Sequence, residues 1–193
     1  LPFLCGNSIF ADRLTAGLGG RGHEVSLFDS GKTRPADAVP FKAEVLHSLN
    51  ADRPHRWVEE FLREKPVPWV ITLTGTDYNS WCGKSDPPLH IRENLERAGA
   101  LVVFHEEALQ SLKSCLPPVG QKVRVIPQGV SLSETRQDPL QLREEIGIKA
   151  REIVFLMVAS IRPVKNLGAT IEAFFEVEKR FQNVRLLLIG PVW

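Results

Sequence analysis

The stretch "EIVFLMVASIRPVKNLGATIEAFFEVEKRFQNVRLLLIG" (residues 152–190) decides the fold. Residues 152–159 and 184–189 are apolar runs of strand length. Neither alternates with polar residues, so both read as strands covered on two faces, as in a parallel sheet. Between them, residues 166–180 place Leu167, Ile171, Phe174 and Phe175 at i, i+4, i+7 and i+8, a single apolar stripe on a helix. Strand, helix and strand in that order form the crossover unit of an α/β sheet. The loop that joins the first strand to the helix carries Arg162, Pro163, Lys165 and Asn166. Two cations within a four-residue span just after a strand suggest an anionic ligand.

The same alternation extends upstream. Helical patterns at 10–25, 52–65, 87–99 and 106–116 alternate with strand-like runs at 24–29, 43–49, 68–75, 100–105 and 122–129. "LPFLCG" (1–6) reads as the tail of a preceding strand. Residues 1–130 are therefore expected to form a Rossmann-like, doubly wound lobe. Residues 131–150 follow as a linker and a helix, with Asp138 as N-cap and Pro139 at the first helical position. Residues 151–193 read as the start of a second α/β lobe, because one strand-helix-strand unit is too small to close a core. The sole methionine is Met157, and the chain is expected to be a piece of something longer.

The composition, 43% hydrophobic and 24% charged with a formal net charge of +1, is that of a soluble globular protein. Near-neutral charge argues against nucleic acid as a partner. No apolar run approaches the ~18–20 residues of a membrane span. Cys5, Cys82 and Cys115 show no metal or redox spacing and are expected to be reduced thiols in a cytoplasmic protein.

In open α/β sheets, ligands sit beyond the carboxyl ends of the strands. The strand 152–159 delivers Ser160 to that edge, and the following helix turns its first amides and its positive dipole end towards it. Lys165 adds a point charge and Arg162 a planar fork suited to phosphate oxygens. The residues read as a phosphate or pyrophosphate site, or else as a solvated loop in which Asn166 caps the helix. Neither a Walker loop nor a G-x-G-x-x-G fingerprint is present.

"KVRVIPQGVSL" (122–132), a helical spacer, and "FLMVASIRPVKNLGATIEAFFEVEKRFQNVRLLLIGP" (155–191) together resemble the central region of group-1 (family 4) GT-B glycosyltransferases. "VITLTGTDYN" (70–79) resembles the family's "H-G-T-D" stretch, and "GNSIFADRL" (6–14) sits where its first loop approaches acceptor and donor. The resemblance implies two Rossmann-like lobes, the second incomplete here. It also implies retaining transfer from a UDP-linked nucleotide-sugar to an unidentified acceptor, without a metal or other cofactor. Lys165 and Arg162 would then hold the donor diphosphate and stabilise charge on the leaving nucleotide.

Three departures stand out. Ser160 occupies the family's arginine position, and Arg162 lies closer to Lys165. Gln128 replaces the usual asparagine of the "PNG" turn. No residue of this chain corresponds to the downstream E-x7-E motif, so the chain alone is expected to be inactive. "IRPVKN" with "TGTD" also looks like a subset that includes selenosugar synthases. The competing expectations are a truncated form that only binds an acceptor or partner, and a GT-B-fold nucleotide-sugar epimerase.

Gly75, Thr76 and Asp77 end a buried strand at the ligand edge. They read either as acceptor-binding residues or, for Asp77, as an Asx turn. His47 ends the strand 43–49 as a cleft hydrogen-bonding group or a structural histidine. Gly6 and Asn7 either present amides to a phosphate or sugar, or Asn7 caps a helix from Ser8. His105 stands at another strand end, with Glu106 behind it as a candidate helix cap. Tyr78 and Trp81 either stack on a sugar or anchor their loop. Arg53, His55 and Arg56 read as a solvated helix face.

Overall fold

Residues 6–130 and 138–191 are described in the computed structural model, and the chain divides into two compact units at Val130. The strand expected at the chain start and the linker residues 131–137 lie outside the described residues.

In the first unit, α1 (Gly6–Gly19) closes at the glycines that end its pattern, and a short α2 (Pro35–Ala38) follows. Four strands then pair in chain order, all parallel: β1 (Leu46–Leu49), β2 (Trp69–Thr72), β3 (Ala100–Val103) and β4 (Val123–Val125). The register sets Leu46 against Trp69, Ile71 against Leu101 and Val103 against Val125. The crossovers are α3 (His55–Glu64), α4 (Leu89–Arg97) and α5 (Glu106–Cys115). The α/β class with parallel pairing is therefore the one the sequence implies.

The core sits between sheet and crossover helices. Ile71, Leu101 and Val103 from the strands meet Val58, Phe61, Leu95 and Leu112 from the helices, each 2% exposed or less. Burial of each such side chain stabilises the fold by roughly 1.5–3 kcal/mol. Where a polar group enters the core it is paired: Trp69 Nε1 donates to Ser48 Oγ at 2.9 Å.

Four local expectations are corrected. Residues 24–29 pair with no strand among the described residues, and the backbone bonds at Asp29 O come from the following turn, from Lys32 N at 2.9 Å and Thr33 N at 2.8 Å. The segment is held by its side chains instead, with Phe28 stacked on Trp57 at 6.1 Å. The strand expected over 43–49 shortens to β1. The cap of α5 is His105, which accepts the Ala108 N–H, and not Glu106. Cys82 and Cys115 are joined in a disulfide across a sequence separation of 33, so they are not the free thiols expected.

The second unit begins with α6 (Pro139–Glu145), capped by Asp138 accepting from Leu140 N at 2.9 Å. Strands β5 (Ile153–Val158) and β6 (Val184–Ile189) pair in parallel along their whole length, with α7 (Leu167–Glu178) between them in the chain. Leu167, Ile171 and Phe174 are half-buried, and Phe174 meets Phe155 edge-on at 5.8 Å. Phe175 was expected in this stripe but is 53% exposed. Two strands about 5 Å apart are too narrow to cover the full width of the stripe. Among the described residues of this unit, only Ile148 is buried. No helix of the described residues is long and apolar enough to cross a membrane.

Candidate functional site

Each unit presents a carboxyl edge of parallel strands. In the first, β1 runs into Asn50 and β2 into the segment Leu73–Asp77. Asn50 adopts a positive φ of 82°, which asparagine tolerates better than most residues. Its side chain ties the two loops together: Nδ2 donates to Thr74 Oγ1 at 3.0 Å and Thr76 Oγ1 at 3.2 Å. Oδ1 accepts from the amides of Asp52 and Arg53, each at 3.0 Å.

Asp77 is the reciprocal tie and is 1% exposed. Oδ2 accepts from Ala51 N at 2.9 Å, and Oδ1 accepts from Thr74 N at 3.0 Å and Gly75 N at 2.9 Å. Burial pushes its carboxyl pKa up, opposed by the same backbone donors. The Asx turn that would open the following loop does not form, since Asn79 N donates to Gly75 O; the Asp77 carboxylate bonds back to the amides of Thr74 and Gly75 and across to the β1 loop. Gly75 has φ +102°, a conformation that favours glycine, and Thr76 is the exposed member of the trio.

His47 Nε2 lies 2.7 Å from Thr72 Oγ1 across the register. The residue keeps a solvent-exposed edge, yet the atoms packed around its imidazole strip away enough water to push its pKa down. Gly6 and Asn7 lie in the first turn of α1. That helix reaches the strand ends through Phe10 against Phe104 at 5.2 Å and Arg13 Nη1 donating to Gly129 O at 3.0 Å. Tyr78 and Trp81 are buried and anchor their loop, with Trp81 Nε1 donating to Asp77 O at 2.9 Å.

Two features of this edge escaped the sequence reading. Asn50 was one; its signal was a turn-forming Asn directly behind a strand-like run. His90 was the other. Its Nε2 lies 2.7 Å from Asp52 Oδ1, and its ring is 5.1 Å from that of His55. His55 Nδ1 in turn lies 3.1 Å from Asn94 Oδ1, so that residue ties α3 to α4 as well as standing on a wet helix face.

In the second unit, β5 leads through Ala159 and Ser160 into a tight turn. Ala159 N donates to Ile189 O at 2.9 Å and Ile161 N to Pro191 O at 2.8 Å, prolonging the pairing beyond β6. Arg162 folds back so that Nε donates to Ser160 Oγ at 2.9 Å. Pro163–Lys165 make one 3-10 turn, and Asn166 takes the left-handed conformation, φ 48° and ψ 47°, before α7 starts. Asn166 makes no side-chain cap. Lys165 is exposed, and among the described residues no carboxylate lies within ion-pair distance of it. A small pocket here is lined by Met157, Ala159, Ser160, Ile161, Lys165, Leu167, Leu188 and Ile189. A wider hollow on α7, at Glu172, Phe175, Glu176 and Lys179, is open and away from the strand ends. Among the described residues, no three metal-ligating side chains converge.

The alpha-monoglucosyldiacylglycerol synthase of Acholeplasma laidlawii is 35% identical over an alignment of 72 residues, with 34% of this chain and 18% of that protein covered. The similarity is to a glycosyltransferase. It supports a sugar-transfer role in general, for a chain that matches less than a fifth of that relative's length. No family model matches the chain.

Proposed function

We propose that this chain belongs to a retaining, metal-independent GT-B glycosyltransferase that uses a UDP-linked sugar. The first unit contributes the acceptor side and the second the first donor contacts. The observation that carries this reading is Lys165, an exposed cation without a carboxylate partner among the described residues, between the carboxyl end of β5 and the start of α7. A diphosphate at this position would meet the Lys165 charge, the helix dipole and the first-turn amides. Arg162 supports the same reading. Its Nε donates to Ser160 Oγ at 2.9 Å, which keeps the cation beside the residue that stands at the family's arginine position. On the acceptor side, Thr76 and His47 offer hydrogen-bonding groups, while Asp77 and Asn50 act through them by holding both loops. Gly75 permits close approach there, and Gly6 and Asn7 supply first-turn amides of α1.

The test is titration of the chain with UDP and with UDP-linked sugars, for wild type, Lys165→Ala and the control Lys179→Ala. Loss of one phosphate-facing cation should weaken binding about 10-fold, or roughly 1.4 kcal/mol, with the control unchanged. Equal affinity of Lys165→Ala and wild type would remove the diphosphate assignment. Chelation of divalent metal should leave binding unaltered.

A further inference from the structure

We propose that the Cys82–Cys115 disulfide is a redox-operated clamp on the loop that follows β2. The two Cα atoms are 5.6 Å apart, within the span that disulfides use. The bond joins residues of different elements: Cys82 lies in the loop between β2 and α4, and Cys115 is the last residue of α5.

The loop has an inner and an outer half. The inner half is tied to the core through Asp77, Tyr78 and Trp81, all buried. The outer half, Gly83–Asp86, is exposed, and Gly83 turns back with φ +76°. Local turns hold it, with Lys84 N and Ser85 N both donating to Trp81 O at 2.8 and 2.9 Å. Cys82 stands at the junction of the halves. Its neighbour Trp81 bonds the Asp77 carbonyl, and Asp77 fixes the amides of Ala51, Thr74 and Gly75. One covalent cross-link followed by hydrogen bonds therefore connects α5 to the rim that carries Gly75 and Thr76.

The surroundings favour a local clamp over a staple for the whole fold. Leu112, Leu116, Val119 and Trp81 already close the core around the bond, each 4% exposed or less. A domain with such a core does not depend on a disulfide as small secreted domains do. Both half-cystines are partly accessible. The reduced state also has a place for the freed thiol: Cys82 Sγ lies 3.3 Å from Ser111 O, a carbonyl to which only the protonated sulfur donates.

The reductant is a dithiol. Its thiolate attacks one protein sulfur, the other leaves as a thiolate, and the second reagent thiol resolves the mixed disulfide. Two electrons and two protons end on Cys82 and Cys115, and the reagent leaves as a cyclic disulfide. The clamp is independent of the sugar-transfer reading.

The experiment uses the whole chain with and without dithiothreitol. Alkylation followed by intact mass should add one group to the oxidised chain and three after reduction, since two of the three cysteines are bonded. Hydrogen exchange should then speed up at least 10-fold across residues 78–86 in the reduced chain, with residues 69–72 and 100–103 unchanged. The double variant Cys82→Ser/Cys115→Ser should exchange like the reduced wild type and ignore dithiothreitol. Three alkyl groups on the unreduced chain would overturn the proposal. So would unchanged exchange at 78–86, or equal acceleration in the core strands.

Discussion

The imidazole of His47 loses water in the fold and keeps one strong neighbour, Thr72 Oγ1 at 2.7 Å. Its pKa is lowered by that burial, so the folded state favours the neutral ring. Between its folded pKa and the ordinary value of about 6.5, the unfolded chain binds more protons than the folded one. Stability then rises with pH through this window and is lost as pH falls from the unfolded pKa towards the folded one. His47→Gln keeps a hydrogen-bonding group near Thr72 and removes the titration. Its melting temperature should therefore fall less steeply than that of wild type between pH 7.5 and 5. Identical acid slopes would mean that the ring is not held neutral by the fold. At this scale the sequence showed which residues reach the strand ends, but not how they are used. Asp77 is visible as a polar residue after an apolar run, whereas its three backbone partners lie partly in another loop. The Ala51 bond that completes the knot is 26 residues distant, beyond any local pattern.

Elements were legible where their cause is local. Asp138 and Pro139 announce the start of α6 because a side-chain acceptor and a missing N–H act within one turn. Strand pairing is not local, and residues 24–29 carry a strand-like pattern without a described partner. The disulfide is of the same kind, its cysteines brought together only by the packing of a loop on α5. The end of β6 shows how a single residue limits an element. An added Cβ on Gly190 would lie 1.8 Å from Ala159 O, a backbone atom that cannot swing aside. Ala159 N also donates to Ile189 O, so the clash falls on the pairing of the two strands. Gly190→Ala should force the two strand ends apart, because the overpacked contact is with backbone. The amides of 153–158 should lose exchange protection while those of 69–72 keep theirs. Unchanged protection at 153–158 would show that the strand ends separate without cost.

The two units differ in how much of their apolar surface they cover. The first closes a core in which Ile71, Leu95, Leu101, Val103 and Leu112 show no exposure. The second leaves Ile153 at 61%, Leu156 at 58%, Val158 at 69% and Ile189 at 50% exposed. A domain of about 60 residues buries only about 60% of the surface its unfolded chain exposes, and is marginal even when well packed. Ordering each residue costs about 1–2 kcal/mol of backbone entropy, and a parallel pair of strands with one helix has little burial to offset it. The stability of the chain should therefore reside in the first unit. Residues 1–130 expressed alone should melt cooperatively, at a temperature close to the main transition of the whole chain. Residues 131–193 alone should show no sharp thermal transition, and their amides should exchange far faster than those of 69–72, with only weak protection at 153–158. A sharp thermal transition in that second piece would mean that the uncovered strands are stable without further packing, and that exposure of their apolar faces does not limit stability.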